Sequence, residues 1–543
     1  MNKKRLPKST YPNRYEIELD VDLDNFSYTG AQKVDLNVVE ATNNIVLNSV
    51  GIEVTKAKIQ TTKQDIPLEV NYIEEDEKIV FESQETLSEG VYELYLEFNS
   101  EITNDLKGFY KSSYMSEDGE KKWIATTQFE PTAARSAFPC WDEPEYKAIF
   151  SMTIITDEKY LRVSNEMVVE EEKVENNKLR TKFADSMKMS SYLVAFVIGD
   201  LEATVVGKSK TTDIRIIHRP GFSHQTSYAG TAAIKLLDFF EDYYKIPYPG
   251  TKLDLIAIPD FAMGAMENVG AVTFRENLLL FDKDKATRSE LDRSITVIAH
   301  ELAHMWFGDL VTMKWWDGIW LNEAFASLME VIASYNTYPE FKQWNAMNMS
   351  RTAGFSIDSL ENSRPVEFDV ETPDQAEEMF DVLTYEKGST VLRMFQMFIG
   401  EEAFQNGVEA YLNKFKFENT NSSDLWDALS EASNQPLNKI LPFWIREKGY
   451  PFLQVDCSNN FLTIKQKPFL LKNVDIDKNN IKPVPVQIKF LDTGNEEKFL
   501  LDETERVIDL KNLGKVPHVN SGGWGFFHTF YDDEVFENIL ANF

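Results

Sequence analysis

The sequence predicts a multidomain α+β protein: an N-terminal β-sandwich-like domain, a mainly helical middle domain and a small C-terminal β-sandwich. Three observations carry this. The hydrophobic pattern alternates with period two from about residue 10 to 205, takes a period near 3.6 from about 230, and alternates again from about 452. At 543 residues the chain is longer than one core usually organises. With 43% hydrophobic and 13% aromatic residues it can fill several cores.

In residues 1–205, the segments YEIELDVDL, KVDLNVV, VYELYLEF and IFSMTIIT read as strands punctuated by turn residues. Asn176-Asn177 between charged strands predicts a hairpin tip. The apolar run Tyr192 to Gly199 predicts a core strand and is far too short to span a membrane. In residues 206–450, LDLIAIPDF and AVTFREN predict a small sheet near the start. Around it, TAAIKLLDFFEDYY, NEAFASLMEVIASYN, STVLRMFQMFIGEEAFQNGVEAYLNKF and SSDLWDALSEAS carry apolar stripes at helical spacing. Residues 451–522 return to strands in FLQVDCSNNFLTIKQKPFL, VPVQIKFLD and KFLLDETERVIDL. Within 523–543, VFENILANF reads as a single helix. No internal repeat or low-complexity linker interrupts the pattern.

The net charge of −32 argues against nucleic acid as a partner, because phosphates demand a basic patch. Acidic clusters such as Glu74 to Asp76 and Glu170 to Glu172 are scattered, as solvated turns and strand ends are, so the charge is mainly a solubility device. Cys140 and Cys457 lie far apart and define no disulfide framework, which suits a reducing compartment. The N-terminus MNKKRLPKSTYPNRYEIELD has basic residues but no apolar signal segment. A cytoplasmic protein with no membrane partner is the expectation.

The run HELAH from His300 to His304 carries the chemistry. Histidines four apart on a helix project from one face, the spacing one tetrahedral zinc ion needs from two nitrogen ligands. Glu301 sits one residue round the helix, placed to reach a water rather than the metal. Glu323, in WLNEAFAS and 19 positions after His304, is the candidate carboxylate ligand, leaving a fourth position open. The alternative, a helix with two ordinary histidines, is weakened by two facts. The chain has only six histidines, and the flanks Ile295, Val297, Ile298, Leu302 and Ala303 predict a buried helix whose polar groups need partners.

Upstream, FAMGAMENVG places glycines on both sides of a Met-Glu-Asn segment after an apolar strand, a pattern that lets backbone approach a ligand closely. Together with HELAH and Glu323, this resembles the aminopeptidase N family of zinc metallopeptidases, whose signature pairs GAMEN with HExxH, eighteen residues and a glutamate. The resemblance runs from about residue 6 to the end, through LPKSTYPNRYEIEL, TQFEPTAAR, AFPCWDEP, SSYLVAFVIGD, YEKG and IKQKPF. It implies a thermolysin-like middle domain, one zinc per chain held by His300, His304 and Glu323, and Glu301 as general base. It further implies that Glu267 and Glu130 bind the free α-ammonium of a peptide. Gln128, Gly264, Ala265, Met266 and Asn268 would line the substrate, and Met263 would floor the first side-chain pocket. Tyr385 of YEKG would donate a hydrogen bond to the oxyanion, a contribution of roughly 3 kcal/mol.

The family usually carries a large helical C-terminal domain, and GGWGFFHTFYDDEVFENILANF, from Gly522, resembles its beginning. The readings are a truncated chain, a naturally short enzyme, or a half-enzyme whose helical domain is a separate polypeptide. Rival functions are a thermolysin-like endopeptidase, an epoxide-hydrolysing relative, and a catalytically weak zinc-containing scaffold that binds peptides without cutting them.

Overall fold

The computed structural model describes residues 5–61, 64–471 and 481–543. Two compact units emerge: residues 1–316 with 370–377 and 415–420, and residues 317–369 with 378–414 and 421–543.

The first unit begins with β-structure. A ten-stranded sheet runs in the order Val168–Val174, Lys178–Phe183, Ile149–Asp157, Thr10–Asp22, Ser27–Val38, Gly90–Glu101, Glu53–Gln60, Ile66–Ile73, Lys78–Leu87 and Thr42–Asn48. Thr10–Asp22 buries alternate residues (Tyr15, Ile17, Leu19, Val21), as its period-two pattern predicts. Its parallel pairing with Ile149–Asp157 joins segments more than 130 residues apart. The predicted hairpin tip is present: Asn176 and Asn177 both adopt left-handed backbone, with φ of 63° and 58°. Strand Val168–Val174, which carries Glu170 to Glu172, forms an outer edge of this sheet and is exposed almost throughout.

A four-stranded sheet joins Leu161–Ser164, Phe196–Gly199, Lys121–Gln128 and Gly108–Met115. Here the predicted strand Tyr192 to Gly199 is corrected. Only Phe196–Gly199 is strand, while Ser191–Leu193 form a 3-10 turn. The whole run is buried, but Ala195 N donates to the Asn165 side chain at 2.9 Å instead of to a neighbouring strand. The small sheet expected from LDLIAIPDF and AVTFREN has five strands: Glu202–Ser209, Thr212–His218, Leu253–Ile258, Ala271–Arg275 and Ala265–Met266. The three middle strands are parallel. Helix α1 (Ser227–Tyr244) packs beside the buried part of α2 (Arg288–His304). Thr287 and Glu290 form a reciprocal capping box that fixes the start of α2.

The second unit is helical, then β. It contains α3 (Trp320–Thr337) and α4 (Gln343–Asp358). The short helix α5 (Pro373–Glu378) belongs, but for its last residue, to the first unit; in the second, a π-helical turn at Leu383–Lys387 runs into α6 (Gly388–Ile399). The long segment beginning STVLRMF is two helices rather than one: Gly400, with φ of 93°, separates α6 from α7 (Glu401–Lys414). Beyond α8 (Ser422–Ser433) come a four-stranded sheet and a three-stranded sheet, the latter ordered Glu496–Leu501, Val484–Phe490, Pro517–Val519. VFENILANF, but for its last residue Phe543, lies within the helix Asp533–Asn542, as predicted.

Candidate functional site

Helix α2 buries Ile295, Val297, Ile298, Leu302 and Ala303, so the apolar flanks of HELAH do what their pattern predicts. His304 is buried and His300 half-buried, and their rings lie 4.8 Å apart centre to centre. Nδ1 of His304 is 2.9 Å from the carbonyl of Phe307, an acceptor. That contact places the proton on Nδ1, so Nε2 is the nitrogen that carries the lone pair a metal would take. Glu323 lies in the first turn of α3, buried beside Asn322. Among the described residues, one group of histidine, cysteine and acidic side chains could hold a metal ion. It is His300, His304 and Glu323, whose ligand atoms all lie within 4.8 Å of one another. Two imidazoles and a carboxylate are a donor set that suits zinc.

The GAMEN segment is held on both sides. Ala265 and Met266 pair with Phe274 and Thr273, and Gly264 O accepts from Arg275 N at 3.0 Å. The exposed Arg275 guanidinium donates from Nε to Phe261 O at 2.9 Å and from a terminal nitrogen to Ala262 O. Upstream, the Asp260 carboxylate accepts from Ser112 and Ser113, which ties the loop to strand Gly108–Met115. Glu267 is buried, with Oε1 3.8 Å from Nδ1 of His304. Asn268 donates to Thr273 Oγ1 at 3.3 Å. Met263 is half-exposed.

The two flanking glycines differ. A Cβ on Gly270 would meet Asn165 O at 2.0 Å, and its φ is +72°, so glycine is required there. A Cβ on Gly264 would meet no protein atom within 4 Å, so packing within the chain does not require glycine there.

Gln128 ends strand Lys121–Gln128, and its Nε2 approaches Met266 Sδ at 3.3 Å, which brings TQFEPTAAR and GAMEN together. Glu130 is buried two residues further on. Arg135 secures this loop through ion pairs to Asp142 at 2.9 Å and Glu77 at 2.7 Å. AFPCWDEP is thereby explained as scaffolding: Asp142 holds Arg135, and Glu143 holds Leu6 N at 2.6 Å and Arg5 at 2.8 Å.

Tyr385 sits half-buried in the π-helical turn. Asp381 holds that turn, accepting from the backbone N–H groups of Leu383 and Thr384. The fully buried ion pair Lys387–Asp358, at 2.8 Å, anchors its other end. Gly388 lets the turn lie close against α3: a Cβ there would stand 2.6 Å from that of Ala324, next to Glu323.

Sequence reasoning passed over two buried charges. Lys147 donates to the carbonyls of Asp309 and Leu310, at 3.0 and 3.3 Å, and burial pulls its ammonium down to about 7. The Asp309 carboxyl is fully buried, with neither oxygen hydrogen-bonded among the described residues. Burial first, then Glu267 and Glu301, push it well above the ordinary carboxylate range, against His304 and Lys147. Only its position five residues after His304 hinted at a role.

Two family models cover most of the chain. The peptidase M1 N-terminal domain matches residues 11–193, and the peptidase family M1 domain matches residues 228–444. The chain belongs to peptidase family M1, as the resemblance to aminopeptidase N implied. It is 38% identical to "Aminopeptidase M1-A" of Oryza sativa subsp. japonica, over 98% of this chain and 61% of that protein. It is 40% identical to "Aminopeptidase M1" of Arabidopsis thaliana, over 98% and 62%. With "Puromycin-sensitive aminopeptidase" of Caenorhabditis elegans the identity is 36%, over 99% and 58%. The chain thus spans about three-fifths of the length of these relatives. The alignments run over nearly the whole chain and lend no support to a separate partner polypeptide or to a non-catalytic scaffold. No described helix is long and apolar enough to cross a membrane.

Proposed function

We propose that this chain is a zinc-dependent aminopeptidase, releasing the N-terminal residue from peptides whose α-amino group is free. The observation that carries the reading is the grouping of His300, His304 and Glu323, with Glu267 of GAMEN 3.8 Å from His304. His300, His304 and Glu323 would hold one zinc ion per chain; zinc in such a site acidifies a bound water and polarises a carbonyl.

The protein's own groups do the rest. Glu301 takes a proton from the attacking water and passes it to the leaving amine. Tyr385 donates a hydrogen bond to the carbonyl oxygen as negative charge develops on it. Glu267 and Glu130 bind the α-ammonium, which fixes the distance from chain end to scissile bond. Gln128, Met266 and Asn268, with the backbone of Gly264 and Ala265, line the path of the peptide. Met263 floors the first side-chain pocket and favours neutral, apolar or broadly varied N-terminal residues. Residues 206–450 form the thermolysin-like part of this machinery, flanked by β-domains at 1–205 and 451–522. A cytoplasmic location fits the two unpaired cysteines.

The test is hydrolysis of aminoacyl-coumarins, abolished by a chelator and restored by zinc, with N-acetylated peptides left uncut. Glu301→Gln is expected to retain zinc by metal analysis and to lose at least about 10²- to 10⁴-fold in kcat. Substantial activity in that variant would refute the assignment. A strict preference for acidic N-terminal residues would refute the pocket assigned to Met263.

A further inference from the structure

Helix α2 ends at His304, and the loop that follows is bonded back onto that end. The N–H groups of Asp309, Leu310 and Val311 donate to the carbonyls of His304, Met305 and Trp306, at 3.0, 3.3 and 3.2 Å. Each bond reaches one residue further back than an α-helix allows. The carbonyls of residues 307–310 must then find donors elsewhere, and all four find one. Phe307 O lies 2.9 Å from Nδ1 of His304. Gly308 O accepts from the Tyr192 hydroxyl at 3.2 Å and from the Thr312 hydroxyl. Asp309 O and Leu310 O both accept from Lys147 Nζ, at 3.0 and 3.3 Å. Thr312 also reaches Asp309 O at 3.5 Å, and Phe417 N reaches Leu310 O at 2.7 Å.

Lys147 is a costly donor to place here. It is buried, and no carboxylate stands within ion-pair distance of it among the described residues. Asp309 and Glu418 favour its charge from further off and Lys188 opposes it, but burial outweighs them and lowers the ammonium to about 7. A charge buried on backbone carbonyls alone is unfavourable, and such groups concentrate at functional sites. What the ammonium supplies is a pair of bonds from one atom, which ties two successive carbonyls together at the end of a four-carbon stem. Two residues before them stands Phe307 O, the acceptor that sets the tautomer and the tilt of the His304 ring.

We propose that Lys147 is a positioning residue for the metal centre: by holding Asp309 O and Leu310 O it keeps Phe307 O against Nδ1 of His304, and so holds that ring in its ligand orientation. Tyr192 supports the same loop through a neutral bond at Gly308 O. Every group involved lies in the first unit, so a lysine and a tyrosine of the N-terminal β-region act on a ligand at the end of α2. The inference rests on the zinc-peptidase reading above, and a wild-type chain that binds no zinc would overturn both.

Zinc affinity of the full chain, measured by competition with a chromophoric chelator, is the test. Lys147→Met should raise the Kd for zinc about 10- to 100-fold, the range that outer partners of a metal ligand command. The visible absorption bands of the cobalt-loaded protein should shift in the same variant, because the imidazole turns. Lys147→Gln keeps a donor for one carbonyl and should recover part of the affinity. Tyr192→Phe removes only a hydroxyl and should weaken zinc binding about two- to tenfold. It carries the test if the Lys147 variants fail to fold, and unchanged affinity there would overturn the proposal. Ile59→Ala, at a buried position separated from Ile149–Asp157 by three strands of the ten-stranded sheet, controls for stability. It should lower the melting temperature and leave zinc affinity intact. Wild-type affinity and cobalt bands in Lys147→Met, no recovery in Lys147→Gln, or an equal loss in Ile59→Ala would each overturn the proposal and leave the peptidase reading standing.

Discussion

The GAMEN segment and the YEKG turn are positioned by opposite means. The stretch leading into GAMEN is held at the surface, by the exposed Arg275 guanidinium across the carbonyls of Phe261 and Ala262, before Ala265 and Met266 pair with a buried strand. YEKG is held from within, by the buried Lys387–Asp358 pair and by a glycine pressed against α3. A surface clamp in water contributes little stability and leaves some travel. A buried ion pair contributes heavily to holding one arrangement, because breaking it strands a charge. The contrast fits the roles proposed for them, a peptide edge that accommodates varied chains and a tyrosine that must not move.

Removing Lys387 is the harshest way to break that comparison. Lys387→Met leaves Asp358 buried without its cation, and chemical denaturation should show a loss of about 3–5 kcal/mol. A loss below about 1 kcal/mol would mean that the turn is not anchored internally. Gly388→Ala is the next step. It should destabilise by about 1–3 kcal/mol, because the added methyl must displace α3 or α6, and it should lower kcat more than it raises KM.

The pH dependence sharpens the same picture, since Lys482 sits beside Lys387. With its ammonium at about 8 in the folded protein, against the ordinary 10.5, the unfolded chain binds the extra proton between those values. Stability from this group is therefore lowest below pH 8 and rises as pH climbs toward 10.5, by at most about 1.4 kcal/mol per pH unit. Lys482→Met should flatten that slope in melts recorded from pH 7 to 10.

The smallest effect on stability belongs to the surface clamp. Arg275→Gln should change stability by less than about 1 kcal/mol yet raise KM for aminoacyl substrates several-fold with kcat nearly intact, and Arg275→Lys should rescue part of it. Equal loss in kcat and kcat/KM would show that the segment is not merely positioned by this side chain.

Much of this was legible in the residues. HELAH and Glu323 could be read because helical spacing is local, and the Asn176-Asn177 tip because left-handed backbone favours that residue type. The run from Tyr192 misled because an unbroken apolar run does not reveal where its backbone hydrogen bonds go; Asn165, thirty residues earlier, intercepts one. Gly400 splits a helical pattern that periodicity alone joined. Lys147 and Arg275 stayed hidden because nothing in their own neighbourhoods marks them, and Asp309 had only its place five residues after His304. Their significance comes from burial or from carbonyls that turns and loops elsewhere in the chain bring to them.

Strand Val168–Val174 closes one side of the largest sheet while its outward ladder of N–H and C=O groups stays open. Such a ladder is a template on which a second molecule could add its own strand, and exposed Val168 and Val169 would reward the contact. Glu170, Glu171 and Glu172 follow them directly, and two copies meeting there would set three carboxylates against three. The strong negative charge of this protein has an address as well as a magnitude: part of it keeps one molecule's sheet from continuing into the next.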